Sequence, residues 1–405
     1  MKTFNYKSFA AWALVLFMGT GLVSCKDDAK YSVLRGQAYI EQTNTKGNAS
    51  KGISVADGEL GRSEISVRLS DVFTEDAKFE LVVDPSVLDA YNKQNASNLK
   101  VLPEAQRRVS ATEVVVKAGA TSSAAVKLEI DPLSDEQKDS GEKFAIPFRL
   151  KSKDGKVAVL PGADEFVYIV RPVIVTVAPV LGSDRSNGYT YNGFKATGVE
   201  EVPLSAWTVE FRVNMNGFGR NNQALFGNWG KDSEIYIRFG DAGTPFNTLQ
   251  VKFGDKGQFD RSNMVFTPNT WYHIAVVYDG TKATLYVNGQ KDLDTDKPAG
   301  KVFNLGNGIS VANSGSQWFV NAAMMSEMRV WNIARTPQQL VENEFSVSPK
   351  TPGLLHYWKM NEGKGNELKN SISGAPSLVN QNSGGNVRWV DNIRSDGKGR
   401  NTSDK

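Results

Sequence analysis

Runs of strand length in which apolar and polar residues alternate recur along most of this chain, each cut off after a few residues by Gly, Asn, Asp or Pro. Trp207-Thr208-Val209-Glu210-Phe211-Arg212-Val213 shows the pattern best. Trp207, Val209, Phe211 and Val213 fall on one side of an extended backbone, because successive side chains of a strand point to opposite faces. A helix needs apolar residues three and four apart, and very little of the chain supplies that spacing. The pattern predicts an all-β chain whose sheets each bury one face. Ala118-Gly119-Ala120-Thr121, Lys153-Asp154-Gly155-Lys156, Tyr278-Asp279-Gly280-Thr281 and Asn288-Gly289 are the hairpin signals. Asn-Gly is the strongest of them, since both central residues of its turn take positive φ. Seven of the eight tryptophans follow residue 200, so the second half carries the larger apolar load.

Cys25 is the only cysteine among 405 residues. Neither a disulfide nor a thiolate metal site can hold such a fold, so a buried core must. It ends Leu22-Val23-Ser24-Cys25, after Lys2, Lys7 and an apolar run from Phe9 to Val23 that falls short of the roughly 20 residues of a membrane-spanning helix. This arrangement resembles the lipobox of bacterial lipoproteins. The resemblance implies a signal peptide over 1–24 and acylation of Cys25, with two lipid chains giving stable anchoring. Lys26-Asp27-Asp28, in the linker 25–30, is similar to the signal that sends Bacteroidetes lipoproteins to the outer face of the outer membrane, although a solvated charged linker reads the same way. Contact with the membrane is then expected through the lipid alone. The formal charge of +3 falls to +1 once Lys2 and Lys7 are removed, with both signs interspersed. There is no long basic run, zinc-ligand cluster or phosphate-binding glycine loop, so nucleic acid is not an expected partner.

In the first half, Ile65 to Leu69, Phe79 to Val83, Val114 to Lys117, Ala125 to Ile130 and Phe148 to Leu150 read as strands, and Pro85 to Gln94 as one short helix. Their number and spacing predict an immunoglobulin-like sandwich over 31–178. Val83-Asp84-Pro85-Ser86-Val87-Leu88, Ala90-Tyr91-Asn92, Leu102-Pro103, Val114 to Gly119 and Lys143-Phe144-Ala145-Ile146-Pro147 keep the order found in a domain of unknown function, which these residues resemble. That domain opens many Bacteroidetes surface lipoproteins encoded beside glycan-import systems. The resemblance implies a spacer or platform without chemistry of its own.

A boundary near 180 leads into a second unit, 180–393, followed by a tail, 394–405, rich in polar residues. Leu225 to Gly227, Glu234 to Phe239, Leu249 to Phe253, Trp271 to Tyr278, Ala283 to Val287 and Met328 to Trp331 have strand composition, as a two-sheet jelly roll requires. Trp271-Tyr272-His273-Ile274-Ala275-Val276-Val277-Tyr278-Asp279-Gly280, Leu285 to Gly289, Met325 to Arg335 and Leu355 to Gly363 resemble the laminin-G-like branch of the concanavalin A-like lectin and glucanase superfamily. The resemblance implies a sandwich of two antiparallel sheets. Trp271, Trp331 and Trp358 are expected in its core, His273 and His356 as strand residues with satisfied rings, and Thr336 to Glu344 as a short helix capped by Thr336 with Pro337 first.

Catalysis is not expected. The glucanases of that superfamily carry paired glutamates in a Glu-x-Asp-x-(x)-Glu pattern that is absent here. Asp292-Leu293-Asp294-Thr295-Asp296 offers only short acids next to a hairpin turn, whereas retaining hydrolysis needs two carboxyl groups about 5 Å apart across a cleft. Binding needs only aromatic and amide side chains on a rigid platform. Two loops supply them: Gly227-Asn228-Trp229-Gly230-Lys231-Asp232, and Asn313-Ser314-Gly315-Ser316-Gln317-Trp318. Trp229 and Trp318 either stack on a sugar ring or fold back over the sandwich edge. Asn228, Asp232, Asn313 and Gln317 are candidate hydrogen-bonding groups, with Arg238 or Arg220 for an acidic glycan. No cofactor is demanded, although laminin-G-like modules often carry one calcium ion, for which Asp232, Asp241 and Asn313 are candidate ligands. The resulting expectation is a surface lipoprotein that captures polysaccharide or host glycan for an outer-membrane transporter complex. The alternatives are an adhesion or scaffold protein with a protein partner and, less well supported, a glycoside hydrolase.

Overall fold

A computed structural model describes residues 36–395 and 397, apart from 44–49, 57, 185–186, 231, 242 and 307. The expected signal peptide, Cys25 and most of the polar tail lie outside the described residues. The chain is all-β, as the alternation predicts, with strands gathered around two large apolar clusters. No helix among the described residues is long and apolar enough to cross a membrane.

In the first half, Ser50–Val55, Glu165–Pro172, Phe144–Ser152, Ala77–Val83 and Glu113–Val116 form one sheet in that order. It encloses Phe79, Phe148, Phe166 and Tyr168 against two smaller sheets. Full burial of each such ring contributes roughly 2–3 kcal/mol. The run Ile65 to Leu69, expected as one strand, is divided at Ser66: Gly61–Ile65 pairs with Val126–Ile130, and Val67–Leu69 with Gln37–Ile40. The Pro85–Asn95 helix starts where Pro at its first position and Asp84 as cap require. The Asp84 carboxylate accepts from Ser86 N at 3.0 Å and from Arg149 Nε at 2.6 Å, and these partners hold its pKa down to about 2.

In the second half two sheets face each other. One has nine strands, with Val175–Asp184, Ala322–Trp331, Trp207–Met215, Trp271–Tyr278, Ala283–Val287 and Gln290–Thr295 as consecutive neighbours. The other has eight and includes, in order, Leu249–Lys252, Ile235–Phe239, Gln223–Asn228 and Ser310–Val311. Trp207, Phe211, Phe226, Phe239, Tyr278, Phe303 and Trp358 fill the space between them. Asn288 and Gly289 take φ of 50° and 74° and join Val287 to Gln290 as a two-residue hairpin, confirming that turn. The helix after Arg335 runs Pro337–Glu342, with Thr336 and Gln339 completing a capping box.

The two halves touch through the helices and the segment after the second. Gln338 Nε2 donates to Tyr91 Oη at 3.1 Å, Tyr91 Oη donates to Glu342 Oε1 at 3.2 Å, Gln339 Nε2 donates to the Ala96 carbonyl at 2.9 Å, and Lys143 Nζ donates to Ser346 Oγ at 2.7 Å. These contacts lie over the outer face of the nine-stranded sheet, so that sheet is covered on both sides.

Candidate functional site

The outer face of the eight-stranded sheet carries a different composition from its inner face. Along Ile235–Phe239, alternation sends Ile235, Ile237 and Phe239 inward and leaves Tyr236 and Arg238 on the outside. Along Leu249–Lys252, Gln250 faces outward in the same way and is paired in register with Arg238. Arg238 Nε donates to Gln250 Oε1 at 2.7 Å and Nη1 to Asn222 Oδ1 at 2.7 Å, while Nη2 stands 2.7 Å from Asp241 Oδ2. Tyr236 Oη donates to the same Asn222 Oδ1 at 2.9 Å. Burial pushes the Tyr236 hydroxyl up to about 12, so it stays a neutral donor.

Trp229 lies against this network. Its ring is 4.8 Å from that of Tyr236 at a 50° tilt, its Nε1 donates to Ser310 Oγ at 2.8 Å, and 40% of the residue remains exposed. The ring can settle there because position 227 has no side chain: a Cβ on Gly227 would sit 2.8 Å from Trp229 Nε1. The indole therefore does both things the sequence allowed, folding back over the sheet while presenting an apolar surface to solvent. Tyr236, Arg238 and Gln250 are buried and Asn222 is half-buried, so the arrangement is an exposed aromatic ring resting on a fixed polar network. Such a surface suits a ligand with an apolar face edged by hydroxyls.

The remaining candidates divide. Asn228 is fully buried, its Nδ2 donating to the Ser233 and Asn304 carbonyls and its Oδ1 accepting from Gly306 N, so it belongs to the loop's frame and not to a ligand set. Arg238 is neutralised by Asp241 and is not free for an acidic ligand. Asp232 stands exposed in the turn with φ of 67°. Asn313 Oδ1 accepts from Tyr191 Oη at 3.1 Å, Gln317 is exposed, and Trp318 is half-buried with the Arg220 guanidinium 4.8 Å from its ring centroid. The second loop is fastened at Ala224, whose N donates to Ser314 Oγ, whereas Trp229 follows the other end of the Gln223–Asn228 strand. Six strand residues span roughly 17 Å, so the two loops do not converge on one pocket.

The calcium ligands fit poorly. Asp241 Oδ2 is engaged by Arg238 and Gln250. Among the described residues no group of three or more His, Cys, Asp or Glu side chains is placed to hold a metal ion. Two of the acids of 292–296 are occupied too: Asp292 accepts from Asn263 N and Met264 N, and Asp294 Oδ2 lies between Lys291 and Lys282. They sit on a sheet-edge hairpin arm, as expected.

A charge cluster that no local spacing announces lies beneath the junction of the two halves. Glu210 is fully buried; its carboxylate meets Arg335 Nη1 at 3.2 Å, Arg329 Nη1 at 3.4 Å and His273 Nε2 at 3.0 Å, and accepts from Trp331 Nε1 at 2.8 Å. Burial alone would raise its pKa, but Arg335 and Arg329, with His273, outweigh that and hold it well below the carboxylate range. Trp331 is fully buried, as expected, but in a cluster with Val347 and Tyr357 on the outer face of the sheet; Trp271 is only half-buried on that same face, and Trp358 sits in the central core. His356 stacks on Trp358 at 5.1 Å.

Comparison with known proteins places these two halves. Residues 187–341 match the family model of the concanavalin A-like lectin/glucanases superfamily, and residues 34–157 match a model described as an N-terminal domain. Both resemblances read from the sequence are borne out, and the second sandwich is lectin-like. No curated protein matches the chain. Among solved structures, a candidate carbohydrate-binding protein from Bacteroides ovatus is 24% identical, with 88% of this chain and 98% of that one covered and a TM-score of 0.49. A SAP-like pentraxin from Limulus polyphemus is 14% identical over 54% of this chain and 96% of its own, with a TM-score of 0.37. EndoBT-3987 of Bacteroides thetaiotamicron, solved with Man5GlcNAc product, is 20% identical over 33% of this chain and 31% of its own, with a TM-score of 0.28.

Proposed function

We propose that this chain is a non-catalytic carbohydrate-binding protein, lipid-anchored through Cys25 at the outer face of the outer membrane, that captures glycan on the outer face of its eight-stranded sheet for an outer-membrane import system. The observation that carries the binding reading is Trp229: a large ring, 40% exposed, fixed by Ser310 and backed by Tyr236, with polar groups beside it. Holding such a ring in place beforehand removes the ordering cost that a mobile side chain would add on binding. The neutralised Arg238 favours an uncharged glycan at this face. The lectin-like family match of residues 187–341 supports the same class of ligand. Occupation of the Asp292 and Asp294 carboxylates by backbone amides and a lysine supports a binding role over hydrolysis.

Affinity electrophoresis of the full chain through a panel of neutral polysaccharides tests this reading. Retardation by at least one of them, lost in Trp229→Ala, is the expected result. Retardation by none, or retardation indifferent to Trp229→Ala, sinks the assignment. Anchoring is tested separately by labelling cells with a radioactive fatty acid: wild type takes up label and Cys25→Ser does not. Label retained in Cys25→Ser overturns the lipid site.

A further inference from the structure

The first sandwich does not cover the outer face of the nine-stranded sheet everywhere. A cleft enclosing about 350 Å³ opens between Asp135 and Lys138 of the first half, the connecting residues from Val173 to Thr176, and Arg212, Ser326 and Lys359 of the second. Arg212 and Ser326 are partners in register on adjacent antiparallel strands, so their side chains rise side by side from the same face. Arg212 is 6% exposed, with its guanidinium carbon 4.9 Å from the Trp271 ring centroid and 4.4 Å from that of Phe345. Held between two rings, the planar fork can be met by an acceptor only along its edge.

Two donors in this cleft lack acceptors. Arg212 Nε has no hydrogen-bond partner; Glu344 Oε1, its ion-pair partner, stands 3.5 Å away. Ser326 Oγ, in a residue 2% exposed, has no partner either. Leaving a buried polar group unsatisfied costs about 1–3 kcal/mol, so two adjacent ones lining one cavity need a reason. Glu344 gives Arg212 a counter-charge at 3.5 Å without a hydrogen bond, and the other acids are turned elsewhere. Glu327 is held by Arg329 and by Tyr357 Oη, and Asp135 by Lys138. Lys359 adds a cation at the wall.

We infer that this cleft is a second ligand site, separate from the Trp229 face, and that it receives a carboxylate, carried by an organic acid or an acidic sugar. The carboxylate lies along the edge of the Arg212 fork, Ser326 Oγ donates to one of its oxygens, and Lys359 supplies a second positive charge. Its planar pair of oxygens matches the guanidinium edge, the geometry in which such bonds are strongest.

Isothermal titration of the full chain with sodium glucuronate, against glucose and sodium chloride at matched ionic strength, tests the inference. Saturable 1:1 binding of glucuronate and none of glucose is expected. Arg212→Lys keeps the charge and loses the fork, and should weaken binding about tenfold or more. Ser326→Ala covers the case in which that variant fails to fold. Removing a hydroxyl without a partner leaves the melting temperature of the free protein unchanged or higher, yet weakens glucuronate about fivefold. Trp229→Ala should leave glucuronate binding intact. Sodium acetate separates the sources: binding as tight as glucuronate assigns the site to the carboxylate alone, and weaker binding to an acidic sugar. Absence of saturable glucuronate binding overturns the inference. So does binding indifferent to both Arg212→Lys and Ser326→Ala, or binding lost in Trp229→Ala, which moves the ligand to the other face.

Discussion

Replacing Glu210 by Gln removes one charge and almost no volume from the buried cluster it forms with Arg329, Arg335 and His273. Gln can still accept from Trp331 Nε1, so the loss is electrostatic in the main. Arg329 keeps Glu327, to which it is also bonded, but Arg335 keeps only the Gln339 carbonyl at 3.0 Å. One guanidinium is then left in a dry site without its bonded carboxylate, and breaking a buried pair by removing one partner costs about 3–5 kcal/mol. Urea unfolding followed by tryptophan fluorescence reads this directly, since Trp331 lies against the cluster. The double variant Glu210→Gln/Arg335→Met removes the orphaned charge as well. It should recover most of the loss, because an ion pair exchanged for apolar groups of similar volume is close to neutral. A loss under about 1 kcal/mol in Glu210→Gln, or no recovery in the double variant, would refute the view that Glu210 neutralises the arginines.

Three further outcomes follow from the geometry. Gly227→Ala places a methyl where Trp229 Nε1 lies 2.8 Å away, so the ring must lift; acrylamide should quench its fluorescence more strongly, and affinity for a bound glycan should fall about tenfold. Unchanged quenching would show that the ring does not rest there. Burial, aided by Arg329, pulls the Lys143 ammonium down to about 8 from 10.5, so the folded chain sheds this proton before the unfolded one and stability rises between those values. Lys143→Met should therefore stabilise by about 1–3 kcal/mol below pH 8, with the gain shrinking towards pH 10.5 in urea midpoints measured across that range. A gain independent of pH contradicts this. Burial pulls His356 down to about 4 from 6.5, so its contribution is intact above 6.5 and is lost as pH falls towards 4; thermal melts of His356→Phe should lack that part of the acid destabilisation.

The alternation in Trp207 to Val213 is enough to identify which face of that strand enters the central core. It cannot say what lies over the other face. Thr208, Glu210, Arg212 and Asn214 are polar and alternate with that face, yet every residue of Trp207–Met215 is buried, because the first sandwich and the Pro337–Glu342 helix cover them. His273 and Glu210 meet at 3.0 Å although 63 positions separate them, and no local spacing signals that. Trp331 is buried as expected, but the face on which it is buried is illegible for a different reason. Glu327 takes φ of 58° and the register slips there, so Met325 and Met328 both face the core and residues beyond them exchange sides. Trp229 was legible, since a tryptophan between glycines has little reason to be a strand core residue. Its companion Asn228 was not, because burial of an amide depends on carbonyls that come from Ser233 and Asn304.

The Val175–Asp184 strand enters the second sandwich with a neighbour on each side. Val175 pairs with Arg394 and Val180 with Arg388 along one edge, while Val180 pairs with Met324 and Gly182 with Ala322 along the other. A pull arriving from the amino-terminal side acts along this strand, so its hydrogen bonds are sheared together and do not open one after another. Resistance to such a pull is a matter of unfolding rate rather than equilibrium stability. A sandwich held at its entry strand in this way can bear tension along the chain without first surrendering an end.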